Sequence, residues 1–378
     1  MEVSDLIQER QREAIDPAQL LHSVQSDAQT GKEIATQYDA NRSTIHRNLT
    51  NLAKPGLVQH TEGTFELTAA GAIVDREYQR TLDRIGREDL AFLANSQYRA
   101  PLLRVLRNQP ERIAGLADLR EEGPSRSTIQ RAMFMFRDWD WVSKNGDGCY
   151  ELTPTGESTI RVYHRFESTV EQVLDKNACL RNLETECRDL PAQYLQGERV
   201  VTASPTSPFK GRNAYLNFLN DLEEDSFDYI RMFSTYFDAE FAEAFSPFIE
   251  AGVTVDVVSP ESVLGNSPSG LKELKYIKQG FVADHVQWHI DPGSVPCGLV
   301  VFDDEWAVLG PANLEDVSRV SASIFAGNEQ IIEWAASLYD EYLDEAERPP
   351  GDALQRIYRK INNSLEATVI PALSNDNR

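Results

Sequence analysis

Apolar positions near the start of the chain follow a helical period and then an alternating one. After Asn41, a good N-cap, Ile45, Leu49 and Leu52 recur at i, i+4 and i+7 and predict a helix. Its opposite face carries Ser43, Arg47, Thr50 and Lys54, all small, polar or basic. Residues 31–38 supply a preceding helix, with Asp39-Ala40 as the turn, and residues 17–24 an opening one. Residues 56–60 and 64–68 read as two strands around a Thr61-Glu62-Gly63 tip, the signature of a β-hairpin.

The pattern then repeats. Arg126-Ser127-Thr128-Ile129 matches Arg42-Ser43-Thr44-Ile45 at an offset of 84, and Tyr150-Glu151-Leu152-Thr153 matches Phe65-Glu66-Leu67-Thr68 at an offset of 85. The extra residue falls in the hairpin, where a loop tolerates it. Ser125 takes the place of Asn41 as cap, and Ile129, Met133 and Phe136 take the places of Ile45, Leu49 and Leu52. Chance periodicity would not reproduce a cap, a tetrapeptide and a strand in register. The copies differ on the outer stripe: Thr50 becomes Phe134 and Lys54 becomes Asp138.

Between the copies, residues 72–97 predict a connector helix, either pairing across a dimer or solvated. Residues 158–195 predict a long helix with an apolar side (Val162, Phe166, Val170, Val173) that breaks at Leu190-Pro191, serving as a dimer helix or a packed connector. From Arg199 the pattern changes to alternating strands and helices, with strands at 200–203, 229–233, 252–258, 285–289, 299–302, 306–309 and 322–325. Helices are expected at 213–222, 239–251, 271–279 and 329–345, and a last one at 352–361. Six divisions follow: 1–71, 72–97, 98–157, 158–195, 196–348 and a tail over 349–378.

The 378 residues suffice for two or three domains. No apolar run approaches a membrane span, and the start at Met1 shows no leader signature, so a cytoplasmic location without membrane partners is expected. Cys149, Cys179, Cys187 and Cys297 show no metal spacing. The net charge of −23 argues against nucleic acid until its distribution is considered. Residues 1–160 hold 19 Lys and Arg against 24 Asp and Glu, a net of −5, while residues 161–378 hold 18 against 36, a net of −18. A local basic face therefore fits in the N-terminal part.

The order of helix, turn, capped helix, Gly56-Leu57-Val58 and hairpin resembles the winged-helix regulators of bacteria and archaea. Leu190-Pro191-Ala192-Gln193-Tyr194-Leu195, Gly298-Leu299-Val300-Val301-Phe302-Asp303-Asp304 and Glu333-Trp334-Ala335 through Tyr342 resemble the effector domain of archaeal regulators of the methanogenesis- and sugar-regulator type. Excess carboxylate with only nine Lys resembles the proteins of halophilic archaea. The resemblance implies an α+β fold class: two winged helix-turn-helix domains followed by an α/β phospholipase-D-like domain. It further implies a transcription regulator that binds double-stranded DNA, with an α/β domain that senses a small-molecule effector or dimerises. No cofactor is expected, and a homodimer is expected because one winged helix reads only a short half-site. In phospholipase D enzymes a His-x-Lys-x4-Asp motif supplies a nucleophile and a phosphate ligand. Here Pro296 and Gly298 stand at the His and Lys positions and only Asp303 remains, so catalysis is not expected. Pro311-Ala312-Asn313-Leu314-Glu315 resembles the segment that follows in those enzymes.

Groove recognition is expected from Arg42, Ser43, Thr44, His46, Arg47 and Lys54, with Arg42 and Arg47 suited to bidentate guanine contacts. Arg126, Ser127, Thr128 and Arg131 are the counterparts in the second copy, read as a partial reader or a dimer-packing unit. His285 and His289, taken as sharing a strand face, pack in the sheet, meet a polar ligand or hold a metal. Gly265–Gly270 is a polar loop or a lid. Trp139 and Trp141 are buried against the second copy's core or reserved for a dimer contact. Two rival classes remain: a degenerate phosphodiesterase, and a scaffold whose winged helices bind protein.

Overall fold

The chain divides into two units, Met1–Asp175 and Lys176–Arg378. The computed structural model describes residues 1–7, 15–25, 28–118, 123–235, 238–260, 263, 279, 283–291, 293–312 and 322–348. The helix expected over 271–279, apart from Gln279, falls outside them, as do the 265–270 loop, residues 313–315 and the tail helix over 352–361.

The first unit runs α1 (Val3–Leu6), α2 (Pro17–Ser23), β1 (Gln29–Thr30), α3 (Gly31–Gln37), α4 (Arg42–Ala53), β2 (Val58–Thr61), β3 (Thr64–Leu67) and α5 (Ala69–Ala94). It continues with α6 (Arg99–Asn108), α7 (Ile113–Asp118), α8 (Arg126–Asp138), β4 (Val142–Lys144), β5 (Tyr150–Leu152) and α9 (Pro154–Asp175). Sequence-encoded caps set the helix starts. Thr30 and Glu33 form a reciprocal capping box on α3. Asn41 accepts the Ser43 amide at 2.9 Å on α4, and Ser125 accepts the Thr128 amide at 3.2 Å on α8.

The repeat seen in sequence is also a repeat of backbone geometry. Gly56 and Asp140, 84 residues apart, both take a positive φ, of 78° and 54°. The next amides, of Leu57 and Trp141, return to the carbonyls of Leu52 and Phe136 at 3.0 and 2.7 Å. The hairpins then differ in length, as the change of offset requires. The first turns at Glu62-Gly63, both at positive φ, and the second through Asn145–Gly148, where Asn145 accepts the amides of Asp147 and Cys149.

The connector is no solvated linker. It begins three residues earlier than expected, capped by Thr68, and is interrupted at Gly86 (φ 73°, ψ 166°). Its buried face packs on α9, with Tyr78 and Phe166 in ring contact at 6.2 Å. Val162, Phe166, Val170 and Val173 are all buried there. Each such side chain stabilises the unit by roughly 1.5–3 kcal/mol. Charged groups in the unit's interior are paired. Arg87 Nε lies 2.9 Å from the buried carboxylate of Asp16, and Arg165 Nε lies 2.8 Å from Glu77. Desolvation raises the Glu77 pKa, with Arg165 opposing it.

The long helix expected over 158–195 stops at Asp175. A short helix, α10 (Asn177–Leu180), and two 3-10 turns (Thr185–Asp189 and Ala192–Leu195) follow it. The physical reason is tertiary. The Glu184 amide donates to the Pro296 carbonyl at 2.9 Å, which a continuing helix would forbid, and Cys187 and Leu195 are buried in turns.

The second unit adds β6 (Arg199–Thr202), α11 (Lys210–Asp221), β7 (Tyr229–Phe233), α12 (Ala239–Ala251), β8 (Thr254–Pro260) and β9 (Val286–Asp291). It ends with β10 (Gly298–Phe302), β11 (Trp306–Gly310), β12 (Ala322–Ala326) and α13 (Glu329–Glu345). They form a seven-stranded mixed sheet of order β6-β12-β11-β10-β7-β8-β9. Pairing is antiparallel from β6 through to β7 and parallel from β7 through β8 to β9. The α12 crossover joins the parallel pair β7 and β8, and Gly252 closes that helix in the left-handed region. Alternation sorts the two faces. Ile230, Val255, Val257, Val300 and Phe302 join Phe241, Phe245 and Phe248 of α12 in one core. On the other face Phe233 stacks on Tyr339 of α13 at 5.5 Å.

His285 lies in the turn before β9, not in the strand, with Nε2 2.9 Å from the Ile249 carbonyl. It therefore shares no strand face with His289. The described residues contain no cluster of three or more His, Cys, Asp or Glu able to hold a metal. None of their helices is long and apolar enough to cross a membrane. The helix and strand content makes the chain α+β.

Candidate nucleic-acid interface

α4 buries Ile45, Asn48, Leu49 and Leu52 and turns its other side outward. Ile34 and Ala35 of α3 are buried beside it. Asp39, at φ 49°, makes the turn between the helices, and the Ala40 amide closes it on the Ala35 carbonyl at 2.9 Å. Arg42, Ser43, His46, Arg47, Thr50, Asn51 and Lys54 are exposed, and Thr44 is half-buried.

These side chains are not equally free. The Ser43 hydroxyl donates to Asn41 Oδ1 at 2.7 Å, so it serves the cap. Lys54 donates to Asn51 Oδ1 at 3.0 Å, and the Thr50 hydroxyl donates to the His46 carbonyl at 2.8 Å. Arg42 and Arg47 form no ion pair among the described residues. Both guanidiniums are thus available to an anionic or acceptor-rich partner.

The hairpin contributes shape rather than charge. His46 meets His60 and Phe65 edge-on at 6.2 and 5.8 Å, and His60 stacks on Phe65 at 4.3 Å. This stack joins α4 to the hairpin. The segment from Val58 to Leu67 holds no Lys or Arg and carries Glu62 at its tip. Phosphate contact through that tip is disfavoured by like charge. His60 was not anticipated from sequence, although its place opposite Phe65 follows from the register of the hairpin. The acidic tip was legible all along.

The second copy presents a different surface. Arg126, Ser127, Thr128 and Arg131 are exposed on α8, but Ser125 lies within 2.8 and 3.0 Å of the Ser127 and Thr128 hydroxyls. Asp138 is exposed on the same helix. Phe134 on the outer stripe is 64% exposed. Trp141 is buried against Phe136 and Phe92, and Trp139 meets Phe92 at 4.3 Å. The two copies thus share a backbone and differ in what they offer a partner.

Comparison with known proteins agrees with the internal repeat. The model of the HVO_A0261 N-terminal domain family matches twice, over residues 14–89 and 87–175. Residues 213–345 match the middle domain of methanogenesis regulatory protein FilR1. No curated protein matches the chain. Among solved structures, the phospholipase D family member Nuc from Salmonella typhimurium is 14% identical, with 41% of this chain and 99% of that one covered and a TM-score of 0.32. NucT from Helicobacter pylori is 13% identical over 40% and 98%, with a TM-score of 0.33. TrmBL2, an archaeal chromatin protein, is 11% identical over 68% and 94%, with a TM-score of 0.30. TM-scores this low carry no inference about activity.

Proposed function

We propose that this protein is a sequence-specific DNA-binding transcription regulator that acts as a dimer. Its two N-terminal repeats are winged helix-turn-helix units, and its second unit senses a small molecule or dimerises. The observation that carries this reading is the capped helix α4, which holds Arg42 and Arg47 outward with no ion pair among the described residues. A helix with that face fits the major groove, where Arg reads guanine bidentately. Lys54 and His46 lie on the same exposed side. The match to a methanogenesis regulatory protein over residues 213–345 supports a regulatory second unit. In this reading α4 is the principal reader and α8, with Phe134 and Asp138 on its outer stripe, is secondary.

The reading assigns the chain no catalytic step and no cofactor. Pro296 and Gly298 offer no nucleophile and no phosphate ligand. The remaining carboxylate, Asp303, sits in a turn at φ 42° and accepts the amides of Asp228 and Tyr229 at 2.9 and 2.8 Å. That role is structural.

Genome-wide occupancy of the tagged protein, wild type against Arg47→Ala, tests the proposal. Sharp peaks at a shared palindrome that vanish in the variant are expected. Their absence in both strains across growth conditions sinks it and favours the alternative of a protein-binding scaffold. The exposed Phe134 and the acidic Glu62 tip are the observations that speak for that alternative.

A further inference from the structure

The second unit contains a cavity of about 160 Å³. It is lined by residues of α11, α12 and strands β7 to β12, among them Phe241, Phe245, Ile249, Met232, Val257 and Trp288. The cavity opens at one end and is otherwise walled by an aromatic and aliphatic core, so a guest entering it would leave water for an apolar surface. An apolar cavity of about 150 Å³ stays dry and admits a benzene-sized guest.

The chemistry of the walls narrows the guest. No Lys, Arg or His lines the cavity among the described residues. Asp238 is the one carboxylate on its rim, and it is engaged. It accepts the amides of Glu240 and Phe241 at 2.9 and 3.1 Å, and it takes Arg212 on both oxygens at 2.6 and 2.7 Å. Arg212 is also paired with Glu240. The same contacts close the N-terminus of α12, leaving no site there for an anion. Among the described residues neither an anion nor a cation would find a free counter-charge, and burying one unpaired is costly. Ser234 and Thr235, just after the carboxyl end of β7, and Ser323 of β12 bear hydroxyls at one end, and Tyr215 of α11 adds a phenol to the lining. The carboxyl ends of parallel strands are the usual ligand site of open α/β sheets. A polyhydroxylated guest would leave most of its hydroxyls against Phe, Val and Ile, whereas a guest with one polar end would not.

We propose that this cavity binds a neutral, mainly apolar molecule about one ring in size, with a single hydrogen-bonding end, and that this class of molecule is the effector. The effector role rests on the regulator reading; the binding does not. Ala242 of α12 lines the cavity, and a larger side chain there would occupy the guest's volume.

The test uses the full chain and three probes: benzyl alcohol, benzoate and glucose. Binding is followed by calorimetry and by tryptophan fluorescence, since Trp288 forms part of the wall. Saturable one-site binding of benzyl alcohol is expected, with benzoate at least about tenfold weaker because its charge is unpaired, and no heat from glucose. Ala242→Phe should abolish the benzyl alcohol signal. Ala242→Leu, a smaller change, should weaken it and covers the case in which the first variant does not fold. No saturable binding of benzyl alcohol, equal binding of benzoate, or unchanged binding in a folded Ala242 variant overturns the proposal. Duplex binding is measured on the same protein without probe. Loss of the regulator reading would show there, with the cavity result standing separately.

Discussion

A Cβ on Gly71 would stand 1.9 Å from the carbonyl oxygen of Leu57, so the first turn of α5 passes the exit of α4 at a distance only glycine permits. The second copy repeats the relationship: a Cβ on Gly156 would stand 1.9 Å from the Trp141 carbonyl. In both, a threonine three residues earlier caps the helix. Thr68 and Thr153 accept the amides of Gly71 and Gly156 at 3.1 Å, and their hydroxyls donate back to the chain leaving the preceding helix. Gly71→Ala and Gly156→Ala should each destabilise the first unit by about 1–3 kcal/mol, since the contact is with backbone that cannot rotate away. Urea unfolding reads the cost, and losses below about 0.5 kcal/mol at both sites, the range of a neutral surface change, would contradict the close approach.

Arg47→Ala should weaken duplex binding about tenfold or more, the scale of one lost bidentate base contact. Arg131→Ala should weaken it less, because Phe134 and Asp138 stand where α4 has Thr50 and Lys54. Fluorescence anisotropy at several salt concentrations measures both, and equal losses would refute the asymmetry between the copies.

Phe134→Ser should leave stability within about 0.5 kcal/mol of wild type, because a side chain this exposed supports little of the core. Chemical denaturation checks this. A large loss would mean that Phe134 is covered by a second copy, and sedimentation of the variant would then show dissociation.

Stability of the second unit should fall in mild acid through His289. Burial lowers its pKa below 6.5, with Asp256 opposing and Arg348 adding to the shift. The unfolded chain takes up this proton near 6.5 and the folded chain resists it, so the contribution is full above 6.5 and is lost as pH falls below it. His289→Asn should flatten that part of the profile between pH 7.5 and 5.5. Denaturation curves that run parallel for wild type and variant would count against it.

Asp303→Ala should cost about 1–2 kcal/mol, because it strands the Asp228 and Tyr229 amides. Hydrolysis of bis(p-nitrophenyl) phosphate should be absent in both wild type and variant. Turnover by the wild type that disappears in the variant would restore a catalytic role.

The residues alone determined much of this protein. Asn41 and Ser125 announced the starts of α4 and α8, and the change of offset from 84 to 85 located the lengthened hairpin. These are local matters: a cap bonds its own first turn, and periods of 3.6 and 2 are set by backbone geometry. The strand spacing of the second unit was legible for the same reason. Tertiary structure decided what local rules cannot reach. The periodicity past Asp175 looked like more helix, yet the Glu184 amide is claimed by Pro296, more than a hundred residues away. Phe134 stands on the outer stripe of α8, where its apolar ring stays exposed because no described element covers it. His46 and His60 became one stack only when the hairpin folded back on α4. The cavity under α12 had no linear signature at all, since its walls come from strands and helices far apart in sequence. Which long-range partner claims a group, and where packing leaves space, are properties of the assembled chain, not of any window along it.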